Sequence, residues 1–355
     1  VKTEKMKVGL IGAGSISEMH LQAYAQLEDV EVAAVCDLIQ SRAEKRALEY
    51  KIPLIYTDYK ELLANPSIEA VSICTWNQSH EEICLAALRA GKHVLVEKPL
   101  CKTVEEANRI AEAVRETGKT LQVGFVRRYD DNAQLVKRFI DEGEFGEIYY
   151  AKASYIRRLG NPGGWFADSR RSGGGPLIDL GVHIIDLCWY LMGCPKPVSV
   201  SGNTYRKLGN RAEIRNLSFY KAADYDPDYN DVEDMANALI RFEGGASLYV
   251  DVSFTLHAKK DEVAVKLYGE KGGVEVEPEL IMVGEKHQTI LNISPQTDRS
   301  TIHVPNAFLR EISHFISCCK TGGNPISSVE SGLTMMKILC GIYESAEKGA
   351  EIKLG

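Results

Sequence analysis

Over the first 125 residues, short apolar runs alternate with amphipathic stretches. The runs Val8–Ile11, Val30–Cys36, Ala70–Thr75, His93–Val96 and Thr120–Phe125 are apolar almost throughout, as in strands buried on both faces of a parallel sheet. Between them, Ile16–Leu27, Ser41–Tyr50, Ser79–Ala90 and Val104–Thr117 read as helices. This alternation predicts a doubly wound α/β domain over residues 1–125.

Beyond Arg128 the rhythm changes. A helix (Asn132–Glu142) and a strand (Glu147–Ile156) lead into a glycine-rich loop and a strongly apolar helix near 177–192. Five alternating strands follow: Val198–Thr204, Met235–Phe242, Ala246–Phe254, Glu262–Tyr268 and Gly273–Glu277. Glu243-Gly244-Gly245 and Glu270-Lys271-Gly272 supply turns between neighbours, the chemistry of antiparallel pairing. Ala307–Cys319 and Val329–Lys348 are helical again. Residues 126–355 therefore read as an α+β domain with a largely antiparallel sheet.

Composition adds exclusions. The 355 residues suffice for about two domains, each able to bury its own core. No stretch approaches the roughly 20 apolar residues of a membrane span, and Val1–Lys5 runs straight into a strand pattern, which argues against a signal peptide. A net charge of −7 without a basic block argues against nucleic acid or an anionic membrane as partner. The nine cysteines form no CxxC pair and sit mostly in apolar runs, so buried thiols in a reducing, cytoplasmic setting are expected.

Three segments carry chemistry. Gly12-Ala13-Gly14-Ser15-Ile16-Ser17 joins the first strand to the first helix. Gly12 permits the tight turn, and Gly14 lets backbone N–H groups approach a pyrophosphate at the helix start, where Ser15 and Ile16 also lie. Ser17 replaces the usual third small residue. Asp37, ending the second strand, stands where a carboxylate accepts the adenosine ribose hydroxyls and repels a 2′-phosphate. NAD is thus favoured, with NADP the alternative because Arg42 is near in sequence.

Glu97-Lys98-Pro99 ends the fifth strand, at the sheet edge where open α/β folds bind ligands. Gly173-Gly174-Gly175-Pro176 opens the apolar helix, whose polar exceptions Asp179, His183 and Asp186 follow at i, i+4 and i+7 on one stripe. Ionisable groups there are costly unless paired or employed. A hydrogen-bonded stripe that locks the helix is one reading and catalysis another. A metal site lacks a third ligand of convincing spacing, so no metal is expected.

Taken together, Gly12-Ala13-Gly14 with Asp37, Asn77 to His80, Glu97-Lys98-Pro99 and Asp179-Leu-Gly-Val-His183 resemble the Gfo/Idh/MocA oxidoreductases along essentially the whole chain. The resemblance implies a Rossmann domain joined to an α/β domain whose open sheet forms subunit contacts, hence a homodimer or homotetramer. It implies hydride transfer between nicotinamide and a ring carbinol of a sugar or cyclic polyol. An NAD-dependent glycosidase working by transient oxidation and elimination, and a non-catalytic dinucleotide sensor, are the alternatives.

On this resemblance His183 is the general base and Lys98 stabilises the alkoxide, although their division of labour stays open; Asp179 orients substrate and imidazole. Thr75, Asn77, His80, Glu97 and Lys98 are expected beside the cofactor. Arg127, Tyr129 and Trp165 are expected at the substrate. Trp76 stands where the family usually has proline. The long polar stretch Tyr205–Asp231, with its acidic end Asp224–Asp231, reads either as a solvated loop or as a cleft element that disfavours anionic substrates.

Overall fold

The computed structural model describes residues 5–209, 211, 214, 216–218, 221, 229–299 and 301–355. The acidic positions 224–228 lie outside them. Contacts divide the chain into two compact units: residues up to Tyr129 with Val304–Met336, and Asp130–His303 with Lys337–Gly355.

The first unit is built on β1 (Met6–Ile11), β2 (Val30–Cys36), β3 (Leu54–Tyr56), β4 (Ala70–Ile73), β5 (His93–Glu97) and β6 (Leu121–Gly124). They pair in the order β3-β2-β1-β4-β5-β6, every pair parallel. This is the doubly wound dinucleotide-binding order, with a topological switch at β1/β4. Between strands run α1 (Ser17–Tyr24), α2 (Gln40–Tyr50), α3 (Tyr59–Ala64), α4 (His80–Arg89) and α5 (Val104–Thr117). α5 shows why its residues stop and start where they do. Thr103 and Glu106 form a reciprocal capping box, and Gly118 closes the helix in left-handed geometry. On α1, Ser17, His20, Leu21 and Tyr24 recur at helical spacing and form the buried face.

The second unit holds α6 (Asp131–Asp141), β7 (Ile148–Ile156), α7 (Ser169–Ser172), α8 (Val182–Leu191) and β8 (Pro197–Tyr205). It continues with β9 (Met235–Phe242), β10 (Ser247–Ser253), β11 (Glu262–Gly269), β12 (Gly272–Glu277), β13 (Ile281–Lys286), β14 (Thr289–Ile293) and, near the end of the chain, β15 (Ile352–Lys353). The sheet order is β14-β13-β12-β11-β7-β10-β9-β8-β15; only β7/β10 is parallel. One face is a dry core of Ala151, Ala153, Ala238, Ile240, Leu248, Val250, Val265 and Leu267, with α8 packed on it. The other face is half-buried and rich in tyrosine.

The largely antiparallel second sheet is as expected. The division of the chain differs: helix α9 (Val304–Thr321) was expected with the second domain but belongs to the first unit, packed on α1. Its Ala307, Phe308, Ile312, Phe315 and Ile316 share a core with Met6, Val8 and Tyr24. The last helix, α10 (Val329–Lys348), contributes its first residues to one unit and the remainder to the other. No helix among the described residues is long and apolar enough to cross a membrane. None of the nine cysteines is in a disulfide, and six are buried.

Candidate active site

The glycine loop owes its two glycines to different causes. Gly12 has φ +95°, and a Cβ there would stand 2.5 Å from the Cys74 carbonyl oxygen, so β4 itself excludes a side chain. At Gly14 a Cβ would meet nothing within 4 Å. Packing within the protein does not demand that glycine; open space at a helix start is what a bound phosphate uses. Helix α1 has no side-chain cap, and Ser17 instead turns its hydroxyl to the Gly14 carbonyl at 2.5 Å. Asp37 Oδ2 accepts the Ala13 N–H at 2.8 Å and Oδ1 the Ile39 N–H at 2.8 Å. A carboxylate has about four acceptor sites, so the half-buried Asp37 keeps capacity for ribose hydroxyls. The loop therefore fits a dinucleotide. Ser15 is exposed and Ile16 half-buried at its rim.

The Lys98 turn is clamped by buried neighbours. Glu97, 7% exposed, receives the Lys98 N–H on Oε2 at 3.2 Å, and its Oε1 meets His20 Nε2 at 2.9 Å. His20 is fully buried; its Nδ1 lies 3.3 Å from Ser72 Oγ, which in turn bonds the Tyr24 hydroxyl at 2.8 Å. On the other side His80 Nδ1 reaches the Pro99 carbonyl at 2.8 Å and Nε2 the Thr75 carbonyl at 3.2 Å. A neutral imidazole has one N–H, and the shorter contact places it on Nδ1. Burial holds the His80 imidazole below its ordinary value, against the upward pull of the two carbonyls and Glu97. The Lys98–Pro99 peptide is cis. From Val94 to Cys101 every residue is buried except Lys98.

Glu97 and His80 are thus supports of the lysine turn, a role their expected place beside a cofactor did not include. Thr75 and Asn77 lie at the carboxyl end of β4, Thr75 half-buried and holding the Ser79 hydroxyl at 2.8 Å, Asn77 buried. Tyr129 departs from expectation more sharply. It is 4% exposed with its hydroxyl 3.0 Å from Ser327 Oγ, and its ring faces His314. It anchors the first unit and presents no surface to a substrate. Arg128 is likewise buried, bonded to Ile326 O and Ser331 and set over Phe125. Arg127 alone of the three is half-exposed.

In the second unit, the segment carrying Asp179 and His183 is not one regular helix. Leu177–Gly181 is a π-helical turn in which the Val182 N–H reaches the Leu177 carbonyl, five residues back, before α8 begins. Single π turns of this kind cluster at functional sites. From Gly174 to Trp189 every residue is buried except Asp179 and His183. Asp186, expected on the same stripe, is 1% exposed. The glycines before the turn are explained by packing. A Cβ on Gly174 would stand 2.0 Å from the Tyr343 hydroxyl, and one on Gly175 2.5 Å from the Glu233 carbonyl oxygen. Trp165 is half-exposed and stacked on Phe166, ring centres 3.9 Å apart.

Sequence reading missed His20, Ser72, Glu233 and Tyr343. Only His20 left a signal, as an ionisable residue on the packed face of α1. Among the described residues no group of three or more His, Cys, Asp or Glu side chains could hold a metal.

Known proteins bear on this arrangement. Residues 6–125 match the oxidoreductase family with an NAD-binding Rossmann fold, and residues 133–275 the GFO/IDH/MocA C-terminal domain. D-glucoside 3-dehydrogenase of Escherichia coli is 31% identical over 352 residues, 98% of this chain and 97% of that protein. The NAD(+)-dependent scyllo-inositol 2-dehydrogenase of Bacillus subtilis is 29% identical over 99% of this chain and 96% of its own length. In fold, the chain matches levoglucosan dehydrogenase in complex with NADH and L-sorbose at a TM-score of 0.88, with 23% identity and 99% of each chain covered. With both halves matched and a relative of this identity aligned end to end, the chain belongs to the Gfo/Idh/MocA family of NAD-binding oxidoreductases.

Proposed function

We propose that this oxidoreductase transfers hydride between NAD and a ring carbinol of a sugar or cyclic polyol. One observation, made once in each unit, supports the reading. A buried strand end opens only at Lys98, and a buried helical segment opens only at Asp179 and His183. The relatives named for glucoside and inositol oxidation suit that substrate class.

Gly12, Gly14, Ser15 and Ile16 hold the pyrophosphate, and Asp37 the adenosine ribose, where its charge favours NAD over NADP. Thr75 and Asn77 border the nicotinamide half. Bound NAD supplies the hydride acceptor. His183 takes the hydroxyl proton, since imidazoles ionise near neutral pH. The Lys98 ammonium steadies the developing alkoxide, and Asp179 orients the hydroxyl and the imidazole. Arg127 and Trp165 contact the sugar, the indole through the apolar face of the ring.

Incubation with NAD and a panel of inositols, glucosides and free sugars is expected to raise NADH absorbance at 340 nm, a generic property of the dihydronicotinamide. Lys98→Ala and His183→Ala are each expected to lower kcat by about 10²-fold or more while NADH affinity is kept. Silence of the wild-type protein across the panel, with NADH shown to bind, overturns the assignment. We propose further that the protein is a homodimer or homotetramer, joined through the half-buried tyrosine-rich sheet face.

A further inference from the structure

The π turn that presents Asp179 begins without a cap of its own: no side chain at its N-cap, Pro176, bonds its first N–H groups. The cap arrives from elsewhere in the second unit. Glu233, 2% exposed and just before β9, accepts the Gly175 N–H on Oε2 at 2.9 Å and the Leu177 N–H on Oε1 at 3.1 Å. Oε1 also accepts the Tyr343 hydroxyl at 2.8 Å. Burial, first, and the adjacent carboxylate hold that phenol protonated, well above its ordinary range, so it remains a donor. Gly174 and Gly175 allow no side chain beneath this clamp, because Tyr343 and the Glu233 backbone already fill the space.

A single-point cap would satisfy only one of the orphan donors at the start of the turn. A carboxylate that bridges two N–H groups with separate oxygens also fixes rotation about the axis of the turn. It sits where the helix dipole favours negative charge, and charge-assisted bonds are the stronger kind. Asp179 and His183 follow Leu177 by two and six residues on the same segment, so their direction inherits that rotation.

We propose that Glu233 is a positioning residue: its two-oxygen clamp on Gly175 and Leu177 sets the rotation at which the π turn presents Asp179 and His183. The role rests on the dehydrogenase reading above for its effect on rate, but not for its effect on the His183 ring.

Two variants test it. Glu233→Gln keeps size but offers one acceptor oxygen, and turns an amide N–H against a backbone N–H. Glu233→Asp keeps charge but is one methylene too short to reach both donors. Rates are expressed per NADH-binding site, which removes any loss from unfolded protein. Glu233→Gln is expected to lower kcat on the order of 30- to 100-fold, with NADH affinity unchanged, because sub-ångström to ångström misplacement costs that much. Glu233→Asp falls between it and wild type. Tyr343→Phe leaves both backbone bonds and loses only about threefold by the same reasoning.

The second readout is the carbon-bound Cε1–H NMR signal of the His183 ring, assigned by its disappearance in His183→Ala. It is expected to move in both Glu233 variants, whereas a remote loss of stability leaves it in place. Should Glu233→Gln fail to fold, the same two readouts on Glu233→Asp decide. A folded variant with unchanged kcat, or an unmoved His183 signal, overturns the proposal. If the wild-type protein oxidises nothing in the panel, the dehydrogenase reading fails, and the His183 signal alone decides the role of Glu233.

Discussion

At the scale of the residue, the two buried histidines of the first unit matter through the backbone they hold. His20 reaches the Lys98 turn through Glu97, and His80 reaches it through the Pro99 carbonyl. Neither contact touches the lysine ammonium, yet together they fix both peptide neighbours of Lys98. The neutral state of His80 has a measurable consequence. Its folded value lies below its ordinary 6.5, so in mild acid the unfolded chain binds a proton that the folded chain refuses. Its contribution is complete above about 6.5 and is lost as pH falls toward the folded value. His93 and His314, also lowered by burial, act in the same direction. Urea unfolding is expected to show lower stability at pH 5.5 than at 7.5, and His80→Asn is expected to narrow that gap. An equal gap in the variant assigns the acid loss to other groups.

At the scale of the element, two departures from regular local geometry have opposite meaning. The π turn at Leu177–Gly181 is held by distant residues and carries candidate chemistry. The β13–β14 hairpin carries none and stores plain backbone cost. Its two-residue loop, between paired Lys286 and Thr289, puts His287 at φ +52° and Gln288 at φ +64°. Both are exposed, and left-handed backbone costs a non-glycine residue about 1–2 kcal/mol. Asn-Gly is the pair this turn prefers. Replacing His287-Gln288 by Asn-Gly is expected to stabilise the second unit by about 1 kcal/mol, part of the relief being offset by the freer unfolded chain. A raised urea midpoint with an unchanged slope is the confirming result; an unchanged midpoint shows that the pair is held by contacts the turn geometry does not reveal.

At the scale of the whole molecule, the second sheet is asymmetric. Its inner face is closed by aliphatic residues, while the outer face carries Leu239, Tyr249, Tyr150, Lys152 and Asp251 half-buried or exposed. Tyr150 stacks on Tyr268 with ring centres 5.5 Å apart, and Lys152 lies over Tyr249. Tyrosine is enriched in subunit contacts, because it buries apolar area while keeping a polar edge. Light scattering coupled to gel filtration is expected to give twice or four times the chain mass of 39.3 kDa. Leu239→Lys with Tyr249→Lys is expected to lower that mass toward the monomer, since it places two charges in the contact. A wild-type monomer at micromolar concentration would remove this face from consideration.

By itself the sequence determined whatever follows from local pattern. Five of the six parallel strands, four of the five helices between them (α3 was not predicted), the glycine loop with Asp37, and the segments bearing Lys98, Asp179 and His183 are legible because apolar periodicity and glycine placement are short-range signals. It could not show β3, three residues long behind a proline, or the sparse strands β13 and β14 (β14 exposed throughout), since neither has a period to read. It placed Tyr129 at the substrate, whereas the side chain is buried with its hydroxyl on Ser327. Only tertiary structure decided that α9 completes the first unit, that His20 and His80 brace the lysine turn, and that Glu233 caps a helical segment 56 residues earlier in the chain. Contacts between residues so far apart leave no trace in local periodicity; they exist once the backbone has closed and brought their donors and acceptors within hydrogen-bonding distance.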